Sequence, residues 1–311
     1  MKKDVSWKTY FQDNCRYADI VNGLGCGGRQ FVKPEDLQEI DTASKGKARD
    51  LLRKTAFGLN FAIIGIENQN EVDYKFPLRN LHYEVNQYEN QAAKIYKEVR
   101  MSKEELESGE YLYGFRKDNK LYPVLTFVLY SGKEPWDGPV CLHDILDFKD
   151  IPEELARMVA DYSINLIDIR RLKDTSMFQT DVRHVFDFIR CAEDKKALYE
   201  LVDKEPYFKN VEDDVFDVVS LYANSKELAN MKECKNEGGK WDVCQGIKDL
   251  MADSRAEGKE EGREEGREEG MRALINTCKS LDITLEIVKE KLQEQFNISS
   301  ELAAEKVKQY W

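Results

Sequence analysis

No run of about 18 apolar residues occurs anywhere in this chain, so no membrane-spanning helix is expected. The opening residues, MKKDVSWKTYFQDN, carry two lysines but no apolar stretch behind them, so no export signal is expected either. Histidine is scarce: only His82, His143 and His184 occur. Neither H-E-x-x-H nor G-x-S-x-G is present, which removes two common hydrolase patterns. Positive charge is also short, with 47 Lys and Arg against 59 Asp and Glu, a net charge of −12. That balance argues against a broad basic face for gripping nucleic acid. It leaves room for a local basic cleft or a metal-assisted site, because net charge averages over the whole surface.

Paired cysteine motifs are missing too. The seven cysteines (Cys15, Cys26, Cys141, Cys191, Cys234, Cys244 and Cys278) are odd in number and scattered. They read as reduced thiols of a cytosolic protein. Cys234 and Cys244 have nine residues between them and no second pair nearby, which is not zinc-finger spacing. The stretch GLGCGG satisfies G-x-G-x-x-G at Gly23, Gly25 and Gly28. A dinucleotide loop follows a strand and opens a helix, whereas this one follows a helical pattern and opens none. It reads as a helix stop and turn.

What is present supports a packed core with a charged appendage. The chain is 41% hydrophobic and 34% charged, the latter above the usual roughly 25%. Residues 6–24 show mostly helical spacing. Two strands, 50–57 and 61–69, are separated by Gly58 and Asn60, which suits a tight hairpin. From Pro77 the apolar period lengthens: Leu78, Leu81, Val85, Tyr88, Ala92, Ile95 and Val99 predict one long amphipathic helix. Buried strands are expected at 121–132 and 164–170. This order points to an α/β fold. Residues 175–252 read as a helical subdomain behind a boundary near 174. A linker over 253–278 and a small helical module over 279–311 complete the expected organisation.

The linker contains AEGKEEGREEGREEG, with Gly258, Gly262, Gly266 and Gly270 at a period of four. That nearly matches the helical repeat, so the glycines form one slowly drifting stripe. Glu260 and Arg263 stand at i and i+3, where opposite charges meet. Each glycine costs about 1 kcal/mol against alanine. Two readings compete: a solvated, half-stable helical linker, or a helix whose stripe admits a second helix and drives self-association.

The apolar run in NFAIIGIENQN, residues 60–70, ends abruptly in Glu67-Asn68-Gln69-Asn70. Strand alternation puts Glu67 and Gln69 on one face. An antiparallel pairing through residues 58–60 sets Asp50 opposite about residue 68. Asp50 and Glu67 would then share one end of the hairpin, a hard oxygen site suited to Mg²⁺, able to polarise a phosphoryl oxygen. The alternative is that both strands simply reach solvent there.

The same order of an aspartate, a hairpin, an apolar strand with Glu-x-Gln and a long helix resembles the PD-(D/E)XK nuclease superfamily. The closer likeness is to its Rpn group, the recombination-promoting nucleases also called YhgA-like putative transposases. The stretches that carry it are YADIVNGL, KPEDLQEID, ARDLL, IIGIENQNEVDYKFPLRNLHYEVNQY, PVLTFVLYSGKEPWDGP and INLIDIRRL, with the EGREEG tail. The resemblance implies a restriction-endonuclease-like core, a central mixed sheet flanked by helices, followed by an all-α C-terminal region. It implies metal-dependent cleavage of DNA, with Mg²⁺, Mn²⁺ or Ca²⁺ as cofactor. Carried over, Asp50 and Glu67 match the acidic pair, and Asp19 the additional acidic position on the first helix. Arg79 and Gln87 become candidate DNA contacts. Gln69 stands where many superfamily members have lysine, so its amide can orient water but brings no positive charge. The literal Pro-Asp is Arg49-Asp50 here. A nuclease fold with weak or lost chemistry, acting as a DNA-binding or regulatory oligomer through its C-terminal helices, is the alternative.

Overall fold

The structure is a computed structural model that describes residues 2–39, 51–54, 60–66, 72–102, 106–223, 235–236 and 238–311. It is mixed α/β and divides into two compact units, Met1–Gln245 and Gly246–Trp311. In chain order the first unit holds helices α1 (Lys2–Tyr10) and α2 (Asn14–Ile20) and strands β1 (Gln38–Glu39), β2 (Leu51–Lys54) and β3 (Asn60–Ile66). Helices α3 (Phe76–Met101) and α4 (Ser108–Tyr113) lead to β4 (Val124–Tyr130), α5 (Glu153–Ala156) and β5 (Asn165–Asp168). Then come α6 (Val182–Cys191), α7 (Lys195–Lys204) and α8 (Asp213–Ser220). Helix α9 (Val243–Ser280) runs on into the second unit, with α10 (Leu285–Phe296) and α11 (Ser300–Tyr310).

The single helix expected over 6–24 is two helices. Asp13 breaks it, because its carboxylate accepts from the Cys15 N–H at 2.6 Å and starts α2 afresh. The α2 end passes through one wide turn, Val21–Gly25, into Gly27 and Gly28 with φ of 61° and 83°. GLGCGG is therefore a helix stop. Gly23 is required by packing: a Cβ there would lie 2.4 Å from the Phe178 ring.

Strand order is β1-β2-β3-β4-β5. The first two pairings are antiparallel and the last two parallel. β4 is an interior strand between β3 and β5 and is buried along nearly its whole length, which is why VLTFVLY is an almost unbroken apolar run. The hairpin differs from expectation. Leu51 faces Ile63 and Lys54 faces Asn60, four residues short of the expected pairing, and residues 55–59 connect the strands. The length of β3 follows from its other neighbour: it pairs with β4 without a break from Asn60↔Val124 to Ile66↔Tyr130.

Helix α3 follows its apolar period in part: Val99 is buried and Leu81, Tyr88, Ala92 and Ile95 are half-buried. Leu78 is 52% and Val85 41% exposed, whereas Asn80 is 1% exposed. A polar seam at 80, 84, 88 and 91 binds it. The Asn80 amide donates to the Tyr162 hydroxyl, and Glu84 is hydrogen-bonded to Thr126 and Tyr162. The Val124 N–H donates to the Tyr88 oxygen at 3.1 Å. The Gln91 amide meets both the N–H and the carbonyl of Tyr122, at 2.7 and 3.1 Å. These partners satisfy the open backbone at the start of β4 and the hydroxyls beneath it, which aliphatic side chains could not do.

In the second unit, Met271, Ile275, Val288, Leu292, Ala303 and Val307 form the core. Asn297 in the left-handed region (φ 47°) turns α10 into α11, and the Ser299 hydroxyl accepts from the Leu302 N–H at 3.2 Å. Within α9 a Cβ added at Gly270 would lie 3.1 Å from the Phe296 ring. One glycine of the stripe thus seats an aromatic of the same chain. Additions at Gly258, Gly262 and Gly266 would meet nothing within 4 Å, and Arg263 pairs with Glu260 at 3.0 Å.

Candidate active site

Asp50, Glu67 and Gln69 lie outside the described residues. What is described is the frame on either side. Antiparallel pairing brings the start of β2 and the end of β3 to one edge of the sheet. The rung Ile66–Tyr130–Asp168 closes that edge across three parallel strands. It is the end of the sheet at which the parallel strands deliver their C-termini, where open α/β sheets place ligands.

The chain leaving β4 is held firmly. The Tyr130 hydroxyl donates to the Glu134 carbonyl at 2.8 Å. Trp136 packs edge-on against Tyr130 and Phe76, with centroids 5.3 and 6.2 Å away, and donates to the Gly138 carbonyl. GKEPWDGP is thus a packed turn. Arg170 donates to the Ser131 and Ile189 carbonyls at 2.9 and 3.0 Å. Arg171 pairs with Asp168 at 2.9 Å and also holds the Lys133 carbonyl.

Arg79 sits in the first turn of α3, with its guanidinium 4.5 Å from the Phe76 ring centroid and 2.8 Å from Asp73. It is half-exposed, beside the same sheet edge. Gln87 is half-buried, seven residues beyond Asn80 and four before Gln91, on the polar side of α3. His82 is exposed on that helix.

Asp19 is 2% exposed on α2. Its Oδ2 accepts from the Thr180 N–H and hydroxyl, both at 2.7 Å, and from the Gln179 N–H at 2.9 Å. Its Oδ1 also faces the Gln179 N–H, at 3.0 Å. The carboxylate ties α2 to the chain entering α6.

A neighbouring hub was not visible in the sequence. Buried Arg16 pairs with Asp181 at 2.8 Å and with Asp214, and Asp181 also accepts from the Tyr10 and Tyr207 hydroxyls, both at 3.1 Å. Burial opposes the Arg16 charge, but Asp214 and Asp181 more than offset it and raise its pKa. Burial and then Asp181 push the Tyr10 and Tyr207 hydroxyls up. In the α3 seam, burial raises the Glu84 carboxyl despite its Thr126 and Tyr162 donors. Burial and then Glu84 raise the Tyr162 hydroxyl.

Among the described residues no group of three or more His, Cys, Asp or Glu side chains is placed to hold a metal ion. None of their helices is long and apolar enough to cross a membrane.

A family model described as "Putative transposase, YhgA-like" matches residues 38–212, more than half of the chain. The chain belongs to this family. Its matched segment runs from β1 to the residue before α8. No curated protein and no solved structure matches the chain. Membership of the YhgA-like family therefore carries the functional argument together with the sheet.

Proposed function

We propose that this YhgA-like protein is a Mg²⁺-dependent DNA endonuclease with a PD-(D/E)XK core. One observation carries the reading. The family match spans the β2–β3–α3–β4 run, with Asp50 one residue before β2 and Glu67 one residue after β3. Two carboxylates flanking strands that meet at one sheet edge offer the hard oxygen donors that Mg²⁺ takes, and that Mn²⁺ or Ca²⁺ also accept. When bound, such an ion supplies Lewis-acid polarisation of a phosphoryl oxygen.

The chain's own groups do the rest. Asp50 and Glu67 hold the ion. Gln69 orients the attacking water through its amide and adds no charge to the developing oxyanion. Arg79, braced by Phe76 and Asp73, contacts a DNA phosphate, and Gln87 orders the site from the polar side of α3. Asp19 serves the scaffold, because its carboxylate is already engaged by three donors. A cytoplasmic location fits six described cysteines that form no disulfide. Self-association through the open stripe at Gly258, Gly262 and Gly266 accompanies the reading; it fails if Gly262→Leu leaves the sedimentation coefficient of the full chain unchanged.

Plasmid cleavage tests the activity. With Mg²⁺ the wild type should nick or linearise supercoiled DNA, and Asp50→Ala and Glu67→Ala should abolish it. Equal cleavage by all three overturns the assignment. A silent wild type favours the competing reading of a nuclease fold without chemistry, which Gln69 in place of a lysine motivates.

A further inference from the structure

At the opposite end of the sheet, aromatic rings and cations alternate on the surface. The rung Lys54–Asn60–Val124 closes that end, and Lys54 Nζ lies 4.4 Å from the Tyr122 ring centroid. Gln91 fixes the Tyr122 backbone to α3. Nine residues further along α3, Arg100 sits between two tyrosines, 5.2 Å from the Tyr96 centroid and 4.5 Å from that of Tyr111. Tyr111 and Tyr113 on α4 are 63% and 74% exposed.

These rings are held in place rather than loosely displayed. Glu107 and Glu110 form a reciprocal cap on α4. Glu110 also accepts from the Lys117 N–H at 3.1 Å. Gly114, with φ of 61°, ends α4 beneath Tyr96, where a Cβ would strike the ring at 2.1 Å. Arg116 reaches back to the Ser102 hydroxyl at 2.9 Å. Exposed rings on a rigid support bind with little loss of side-chain entropy.

Over residues 94–120 the chain carries Lys94, Lys97, Arg100, Lys103, Arg116, Lys117 and Lys120 against Glu98, Glu104, Glu105, Glu107, Glu110 and Asp118, and Lys54 adds a further cation beside Tyr122. A local excess of cations on a chain of net charge −12 favours an anionic partner. Exposed tyrosines interleaved with cations suit unstacked bases on a phosphate backbone, since every base has a face to stack and a duplex hides those faces.

We propose that the α3–α4 corner is a single-stranded nucleic-acid contact, with Tyr111 and Tyr113 stacking bases and Lys97, Arg100 and Lys117 meeting phosphates. It deepens the nuclease reading and rests on DNA being the substrate. Along α3, Arg100 stands roughly 32 Å, at 1.5 Å per residue, from Arg79 at the edge assigned to cleavage. The corner therefore holds a strand away from the scissile bond.

The test is fluorescence anisotropy of a labelled oligothymidylate with the full chain in EDTA, so that no cleavage is required. The wild type should bind, with affinity falling as salt rises. Tyr111→Ala/Tyr113→Ala should weaken binding about tenfold or more. Tyr111→Phe/Tyr113→Phe, which keeps the rings, should stay within about twofold of wild type, as should Leu155→Ala at an exposed apolar position elsewhere. No binding by the wild type, or equal binding by the alanine double variant, overturns the proposal and leaves the patch to a protein partner. Loss of cleavage in Glu67→Ala with binding intact separates the two readings.

Discussion

Asp19 is where a scaffold role and a metal role predict opposite behaviour. Its carboxylate takes two backbone N–H groups and one hydroxyl at 2.7–3.0 Å, in surroundings that leave it 2% exposed. Hydrogen bonds to a charged acceptor contribute about 1.5–3 kcal/mol, and a stranded buried donor costs about 1–3 kcal/mol. Asp19→Ala strands both N–H groups, while the Thr180 hydroxyl can turn elsewhere. The expected loss is about 2–4 kcal/mol. Asp19→Asn can place its amide oxygen where Oδ2 stood and keep the three shorter bonds. It forfeits the charge, which roughly halves their strength, and its NH₂ faces the Gln179 N–H. About 1–2 kcal/mol is expected, a fall in Tm of about 2–8 °C for a unit of this size. The assay is thermal melting in EDTA alongside Mg²⁺ titration at 20 °C. Both variants should melt earlier and bind Mg²⁺ as the wild type does. An Asp19→Asn protein that melts like wild type yet loses Mg²⁺ affinity would refute the scaffold argument, because a metal ligand costs nothing to neutralise when the metal is absent.

Glu84 gives a pH dependence. Burial holds its carboxyl above the ordinary value, so the folded state binds its proton more tightly than the unfolded chain. That favours folding below the unfolded pKa of about 4.3, and the contribution disappears as pH rises through the folded pKa. Glu84→Gln cannot ionise and keeps an acceptor for Thr126 or Tyr162. Its urea midpoint relative to wild type should therefore climb between pH 4.5 and 8; a difference that stays flat with pH would show that Glu84 titrates normally. For assembly, sedimentation of the full chain should shift to a smaller species in Gly262→Leu, whose side chain enters space that is open in the single chain.

Strand and helix existence were legible because period and turn chemistry are local. VLTFVLY is a buried strand on both faces, and Phe76–Met101 carries its period through seven turns. Register was not legible. The hairpin residues Gly58 and Asn60 suggest a tight turn, but β3 is drawn out by seven pairings with β4, and β4 lies more than 55 residues away. A long-range ladder of that length outweighs the preference of one turn. The face of α3 was legible only in part, for a related reason. Leu78 and Val85 follow the helical period, yet Asn80, Glu84 and Gln91 find specific partners in Tyr162, Thr126 and Tyr122. A hydrophobic period reports what a helix can bury; the partners decide what it does bury.

The acidic residues show the same limit from the other side. Asp19 matches a nuclease position by its place on the first helix, and nothing within twenty residues distinguishes a ligand from a cap. Its donors, Gln179 and Thr180, are 160 and 161 residues on, and Asp181 and Asp214 are 165 and 198 residues on from Arg16. A buried charge has no local signature, because desolvation is compensated only by groups the fold brings near. Asp50 and Glu67 differ in kind. Each adjoins an end of a short strand, and the antiparallel pairing of those strands follows from their neighbourhood in sequence. The acidic pair could therefore be proposed from the sequence, whereas the hydrogen-bond partners of Asp19 required the fold.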